Sequence, residues 1–137
     1  MKKQLNVLFI EDNRIEIMKM DSTISTLKMK HNITEARTVD EAFKFLAGKE
    51  DLPDIILLDL NLPEINGIEF LTTLKSSDDL KHIPTVVLTT SDNQKDLEEC
   101  YKIGISGYIL KPLKYSDYVD KIEIILPYWG INELKKY

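Results

Sequence analysis

The chain has one cysteine, Cys100, and two histidines, His31 and His82, among its 137 residues. A lone cysteine excludes an internal disulfide framework and cannot by itself assemble a cysteine-rich metal site. Cys100 is read as a small packed helix residue, not a redox centre. Neither histidine has a partner at metal-ligand spacing, so solvated or capping roles are expected. No stretch approaches the ~20 consecutive apolar residues of a membrane span. There is no block of basic residues, and the formal net charge of −5 argues against direct nucleic-acid binding and for protein partners. Internal repeats, low-complexity tracts and interdomain linkers are missing too. Met1-Lys2-Lys3-Gln4 opens like a signal peptide, but Glu11 and Asp12 interrupt the apolar stretch after six residues and no small-residue cleavage site follows. A cytoplasmic protein with no membrane partner is expected.

What remains is ordinary globular material, 43% apolar and 30% charged, of a size that suits one domain. Short apolar runs at Leu5–Ile10, Ile33–Ala36, Asp54–Leu58, Thr85–Leu88 and Gly107–Leu110 alternate with helical patterns. Most of the runs lack period-2 alternation, as expected of strands covered on both faces of a parallel sheet. The second, half polar, reads as an edge strand. Helical stripes follow each run: Ile17, Met20, Ile24 and Leu27; Val39, Ala42, Phe43 and Leu46; Ile68, Leu71 and Leu74; Leu97, Cys100 and Tyr101; Tyr118, Val119, Ile122 and Ile125. Thr38, three residues before Glu41, predicts a capping box at the second helix. Pro53 is read as starting the third strand. Strand-helix units repeated five times imply an open, doubly wound α/β domain.

In such a sheet the ligand crevice lies beyond the carboxyl ends of the strands. The stretch "DIILLDLNLPEINGIEF" delivers Asp59 to that edge, directly ahead of Pro63 and the Asn66-Gly67 turn signal. The first strand ends in Glu11-Asp12, the fourth in Thr89-Thr90 and the fifth in Lys111-Pro112. If the strand order is 2-1-3-4-5, three carboxylates, two hydroxyls and one ammonium converge. At about 5 Å and an effective dielectric near 20, each carboxylate pair costs roughly 3 kcal/mol, so a cation is needed. Oxygen-only ligands in an incomplete set point to a hard ion, Mg²⁺, which keeps waters and takes phosphate oxygens. Phosphoryl chemistry follows, with Asp59 as the natural nucleophile.

"FIEDN", "IILLDLNLPEINGIEFL", "TVVLTTSD" and "GISGYILKPL" stand in the order and at the spacing of the response-regulator receiver domain of two-component signalling, which residues 5 to 126 resemble. The resemblance implies a flavodoxin-like (βα)5 fold and a phosphoprotein, not an enzyme in its own right, that takes a phosphoryl group from the phosphohistidine of a sensor kinase. Asp59 matches the phosphoacceptor. Asp12 matches the direct Mg²⁺ ligand, Glu11 its acidic neighbour acting through water, and Asn61 the position whose backbone carbonyl completes the metal shell. Lys111 matches the lysine that pairs with the phosphoryl group, followed by Pro112 through what is typically a cis bond. Thr89 matches the switch hydroxyl and Tyr108 the aromatic residue that turns inward when it moves. The output face implied is that of the fourth helix, fifth strand and fifth helix.

Departures from the family pattern are Glu11, where aspartate is frequent, and Thr90, where alanine is frequent. Thr90, Ser91 and Asn61 stand where side chains can govern the approach of water to an acyl phosphate. Residues 1–126 are read as the receiver and 127–137 as a C-terminal extension too short for an output domain. Its Tyr128-Trp129 is expected either to pack over the last helix or to join a neighbouring chain. "LTTS", "CYKIGISGYILKP" and the tryptophan-containing tail are similar to single-domain regulators that pair with phytochrome-type and hybrid sensor kinases, which implies a stand-alone regulator and a homodimer through the output face and tail. Tyr101, Tyr115 and Tyr118 are read as packing. A haloacid-dehalogenase-type phosphatase would want a second aspartate where Asn61 stands. A flavin binder would want a phosphate-cradling loop where Glu11-Asp12 stands. A receiver-like module that binds partners without phosphorylation is the remaining alternative.

Overall fold

A computed structural model describes residues 4–48, 51–62 and 65–135 of the chain. Met1 to Lys3, Pro63 and the last two residues, on which parts of the sequence reading fall, lie outside the described residues. The elements run β1 (Asn6–Ile10), α1 (Arg14–Thr26), β2 (Asn32–Ala36), α2 (Val39–Ala47), β3 (Ile55–Leu58), α3 (Gly67–Ser76), β4 (Thr85–Thr89), α4 (Gln94–Ile103), β5 (Gly107–Leu110) and α5 (Tyr115–Gly130). The strands form one five-stranded sheet in the order β2-β1-β3-β4-β5, with every pairing parallel. None of the described helices is long and apolar enough to cross a membrane.

The sheet divides the core in two. Leu8, Ile10, Ile56, Leu58 and Val87 face α2, α3 and α4, where they meet Ala42, Leu46, Phe70, Leu71, Leu74 and Cys100. The alternate residues Val7, Phe9, Ile55, Leu57, Val86 and Leu88 face α1 and α5, meeting Ile17, Met20, Tyr118, Ile122 and Leu126. Because both faces are covered, β3 and β4 are buried at every position, which explains their unbroken apolar runs. β2, with only Ala36 buried, is an edge strand as its composition implies. Cys100 is fully buried, and burial pushes its thiol up to about 11, which keeps it protonated and inert.

Local chemistry sets the helix starts. Asn13, Thr38, Asn66 and Asn93 each accept a first-turn backbone N–H with their side chains. At α2, Thr38 Oγ1 accepts from Glu41 N–H at 3.1 Å, but the Glu41 carboxylate accepts from Arg37 N–H and not from Thr38, so the box closes one residue early. Tyr101, expected in the α4 stripe, is half exposed, leaving Cys100 as that helix's buried anchor. Tyr118 is fully buried, whereas Tyr115 stacks on it with ring centroids 6.4 Å apart and stays partly exposed.

The boundary expected at residue 126 falls inside α5. Pro127 has no N–H to give the Glu123 carbonyl, yet the helix continues to Gly130 because Leu126 and Trp129 pack on the α1–α5 core and hold the last turn in place. Trp129 therefore packs on the α1–α5 core, while Tyr128 stays half exposed with its ring edge-on to Trp129, centroids 5.3 Å apart. Among the described residues no peptide bond is cis, so the Lys111–Pro112 bond is trans, the isomer that even X–Pro bonds prefer.

Gly67, the first residue of α3, sits where a side chain cannot. A Cβ there would lie 2.7 Å from Leu60 Cα and 2.9 Å from Asp59 O, both backbone atoms with nowhere to retreat. Its own N–H donates to Leu60 O at 2.9 Å. Gly67→Ala should therefore cost about 1–3 kcal/mol in a denaturant melt, as overpacking against fixed backbone does. An unchanged midpoint would show that the joint yields.

At the opposite end of the sheet, His31 Nδ1 accepts the Leu5 N–H at 2.9 Å, which requires a neutral ring. Burial holds its pKa below the ordinary 6.5. Above pH about 6.5 the ring is neutral whether folded or not, and its contribution is complete. As the pH falls from there through the lowered folded value, the unfolded chain takes up the proton first, and that stability is lost. Compared with His31→Asn, the wild type should lose more denaturant resistance between about pH 7 and pH 5. Parallel pH profiles would contradict this.

Candidate functional site

The parallel ladder carries the polar residues to one edge. Beyond β1, Glu11 N–H donates to Ala36 O at 3.0 Å; beyond β3, Asp59 N–H donates to Ile10 O at 3.1 Å; beyond β5, Lys111 N–H donates to Thr89 O at 2.8 Å. Glu11, Asp59 and Lys111 are thus each fixed by a backbone hydrogen bond at the end of their strands. Asn61 follows Asp59 by two residues, and its N–H donates to Asp59 Oδ1 at 3.2 Å, tying the loop to the carboxylate.

Glu11, Asp12 and Asp59 each offer a carboxylate oxygen, and these three atoms lie within 4.8 Å of one another. Glu11 and Asp59 are buried, whereas Asp12 is exposed and opens the group to solvent. An all-oxygen group of this kind, without histidine or cysteine, fits a hard divalent cation.

Lys111 stands against the group from the β5 side. Its ammonium is paired closely with Glu11 Oε1 and lies 3.5 Å from Asp59 Oδ2 and 3.7 Å from Glu16 Oε2. Burial works against the charge on Lys111, but the hydrogen bond and charge of Glu11, then Asp59 and Glu16, outweigh it and hold the ammonium pKa above its usual value. Burial disfavours the charge on Glu11 as well and pushes its pKa up to about 7, against the opposing pull of Lys111. The second Glu11 oxygen accepts Asn13 N–H at 3.3 Å, where α1 begins.

Thr89 closes the β4 side and is fully buried. Its Oγ1 accepts from Ser91 N–H at 3.3 Å and from the Asn61 amide at 3.5 Å, and the same amide donates to Thr90 Oγ1 at 3.4 Å. Tyr108, half-buried on β5, donates its hydroxyl to Ser91 O at 2.8 Å. Ser91 Oγ in turn donates to Asp96 Oδ2 at 2.9 Å.

Six of the residues singled out in the sequence therefore meet at the edge: Glu11, Asp12, Asp59, Asn61, Thr89 and Lys111. Tyr108 joins them at one remove, through Ser91. Sequence reasoning missed Glu16 and, for Gly67 and Ser91, the part each plays here. Gly67 was legible only as half of an Asn-Gly turn, although it is what lets α3 begin against the Asp59–Leu60 backbone. The backbone role of Ser91 carries no side-chain signal. Glu16 lies on the helical face next to Ile17, where a charged residue ordinarily reads as solvated surface.

Comparison with known proteins gives this geometry its context. The family model for the response regulator receiver domain matches residues 7–123. The "Probable methanogenesis regulatory protein FilR2" of Methanothrix harundinacea is 35% identical over 127 residues, spanning 90% of this chain and 82% of the relative. Response regulator Rcp1 of Synechocystis is 32% identical over 128 residues, or 90% and 87% of the two chains. The Mn²⁺-bound structure of Rcp1 superposes with a TM-score of 0.87 at 30% identity, over 96% of this chain and 99% of that one. The phosphorylated cyanobacterial phytochrome response regulator RcpA superposes with a TM-score of 0.89 at 31% identity, over 97% and 99%. With the fold, the converging strand ends and these matches in agreement, the chain belongs to the response regulator receiver family and is a signalling protein related to the phytochrome response regulators.

Proposed function

We propose that Asp59 is the phosphoacceptor of a two-component pathway, taking a phosphoryl group from the phosphohistidine of a sensor kinase. The observation that carries this reading is the placement of the buried Asp59 carboxylate between the Lys111 ammonium, 3.5 Å away, and an oxygen-ligand group shared with Glu11 and Asp12. Relatedness to the phytochrome response regulator RcpA supports a kinase of the phytochrome type.

In the proposed step an Asp59 carboxylate oxygen attacks phosphorus. The P–N bond to the kinase histidine breaks, its electrons stay with the imidazole, and a mixed acyl phosphate remains on Asp59. Glu11 and Asp12, with Asp59 and the Asn61 carbonyl, would hold Mg²⁺. When bound, the ion would neutralise carboxylate charge and the charge on the transferring oxygens. Lys111 stabilises the phosphoryl group from the opposite side. Asn61 and Thr90 flank the acyl phosphate and govern its later hydrolysis by water.

Phosphorylation adds roughly −1.5 to −2 charges and new acceptor oxygens. The Thr89 hydroxyl, freed from Ser91 N–H, can donate to one of them. That movement displaces Ser91, whose carbonyl holds the Tyr108 hydroxyl, and lets Tyr108 turn inward. The chemistry is thereby read out as a change of shape on the α4-β5-α5 face. That face presents Leu110, Ile124 and Tyr128 to solvent, and a second copy of the chain is its proposed partner.

Incubation with acetyl phosphate or phosphoramidate and Mg²⁺ should add one phosphoryl group by intact mass. The addition should disappear with chelator or in Asp59→Asn, and fall at least tenfold in rate in Lys111→Met, the order lost with one electrostatic contact to the transferred group. A wild type left unmodified by these donors and by a histidine kinase would favour the phosphorylation-independent binding module. Sedimentation velocity over a concentration series should show a dimer strengthened by phosphorylation; monomer throughout, with and without the phosphoryl group, would remove the dimer from this reading.

A further inference from the structure

The Lys111 ammonium is ringed by three carboxylates, and they are not equivalent. Glu11 and Asp59 also belong to the oxygen group that suits a divalent cation; Glu16 does not. A cation entering that group and the ammonium of Lys111 therefore compete for the same oxygens, and their like charges repel across a few ångströms. With its side chain only 5% exposed, Lys111 has no water at hand to take over when Glu11 and Asp59 turn away. Another acceptor has to be within reach.

Glu16 supplies one. It lies in the first turn of α1, and its Oε2 is buried, without a hydrogen-bond partner, 3.7 Å from Lys111 Nζ. That is beyond hydrogen-bond length, so the acceptor capacity of this oxygen is unspent while Lys111 stays on Glu11. The other oxygen, Oε1, is anchored by Lys19 at 3.3 Å, and Lys19 is itself seated 4.7 Å over the ring of the buried Tyr118. The carboxylate is thus held in place on the helix, with one oxygen turned to the site.

We propose that Glu16 is the alternate counter-ion of Lys111, a positioning residue that receives the ammonium when Glu11 and Asp59 are given over to the divalent cation, and that it thereby sets the affinity for that cation. The inference rests on the metal-dependent reading above. Without the Glu16 charge, Lys111 stays on Glu11 and Asp59, and an incoming cation must displace it with nowhere for it to go.

The test is a Mn²⁺ titration of the full chain, with free Mn²⁺ followed by electron paramagnetic resonance, in wild type, Glu16→Gln, Lys111→Met and the double variant. Glu16→Gln is expected to raise the Mn²⁺ Kd about tenfold, within the range of couplings between contacting residues. In the Lys111→Met background the same substitution should change Kd by less than about twofold, because its effect runs through the lysine. An unchanged Kd in Glu16→Gln overturns the inference. So does an equal loss in both backgrounds, which would make Glu16 only a nearby negative charge. A wild type that binds no Mn²⁺ overturns the metal-dependent reading and this inference with it. Glu16→Ala, read in the same way, serves if the glutamine variant does not fold.

Discussion

The rest of the site depends on one buried ammonium among too many carboxylates. Lys111 faces Glu11, Asp59 and Glu16 together, and Asp12 stands on the solvent side of the same group. With each carboxylate pair repelling by roughly 3 kcal/mol at an effective dielectric near 20, Lys111 offsets only part of the repulsion. The cluster is held at that density by the sheet. Three of the residues follow directly on strands whose last backbone hydrogen bonds secure their Cα positions, so the charges cannot relax apart by moving backbone. In the proposed reading, this unrelaxed repulsion is what favours a divalent cation and moves Lys111 from Glu11 to Glu16.

The second constraint is the short route from this charged cluster to the surface. Thr89 and Tyr108 do not touch through their hydroxyls. They meet at Ser91, whose N–H goes to Thr89 and whose carbonyl accepts from Tyr108. A single residue of the β4-α4 loop thus holds both ends of the proposed switch, and Asp96 secures its side chain to α4. A loop residue linked in three directions ties β4, α4 and β5 together, which is the coupling the proposed switch needs.

Much of this was legible in the sequence because it is periodic or sits at strand ends. Unbroken apolar runs marked the strands covered on both faces, and the polar β2 run marked its edge. Asp59 stood out because a charge directly after a buried strand has no reason of its own to be there, and Lys111 because it follows the half-buried edge strand β5 on the same side. Other features were not legible. Pro127 reads as a helix stop, and α5 passes through it only because Trp129 and Leu126 find a core to pack on. Tyr101 has the spacing of a buried residue but falls where α4 turns outward to solvent.

The sequence by itself determined the alternation of strands and helices, the residues that end each strand and the family whose motifs they form. Those properties reside in local pattern and short spacing, which the chain carries whether folded or not. Only the tertiary structure decided that Glu16 joins Lys111, that a Gly67 Cβ would collide with Leu60 and that Ser91 connects Thr89 to Tyr108. These depend on how elements distant along the chain approach one another, and that approach is set by the packing of both faces of the sheet.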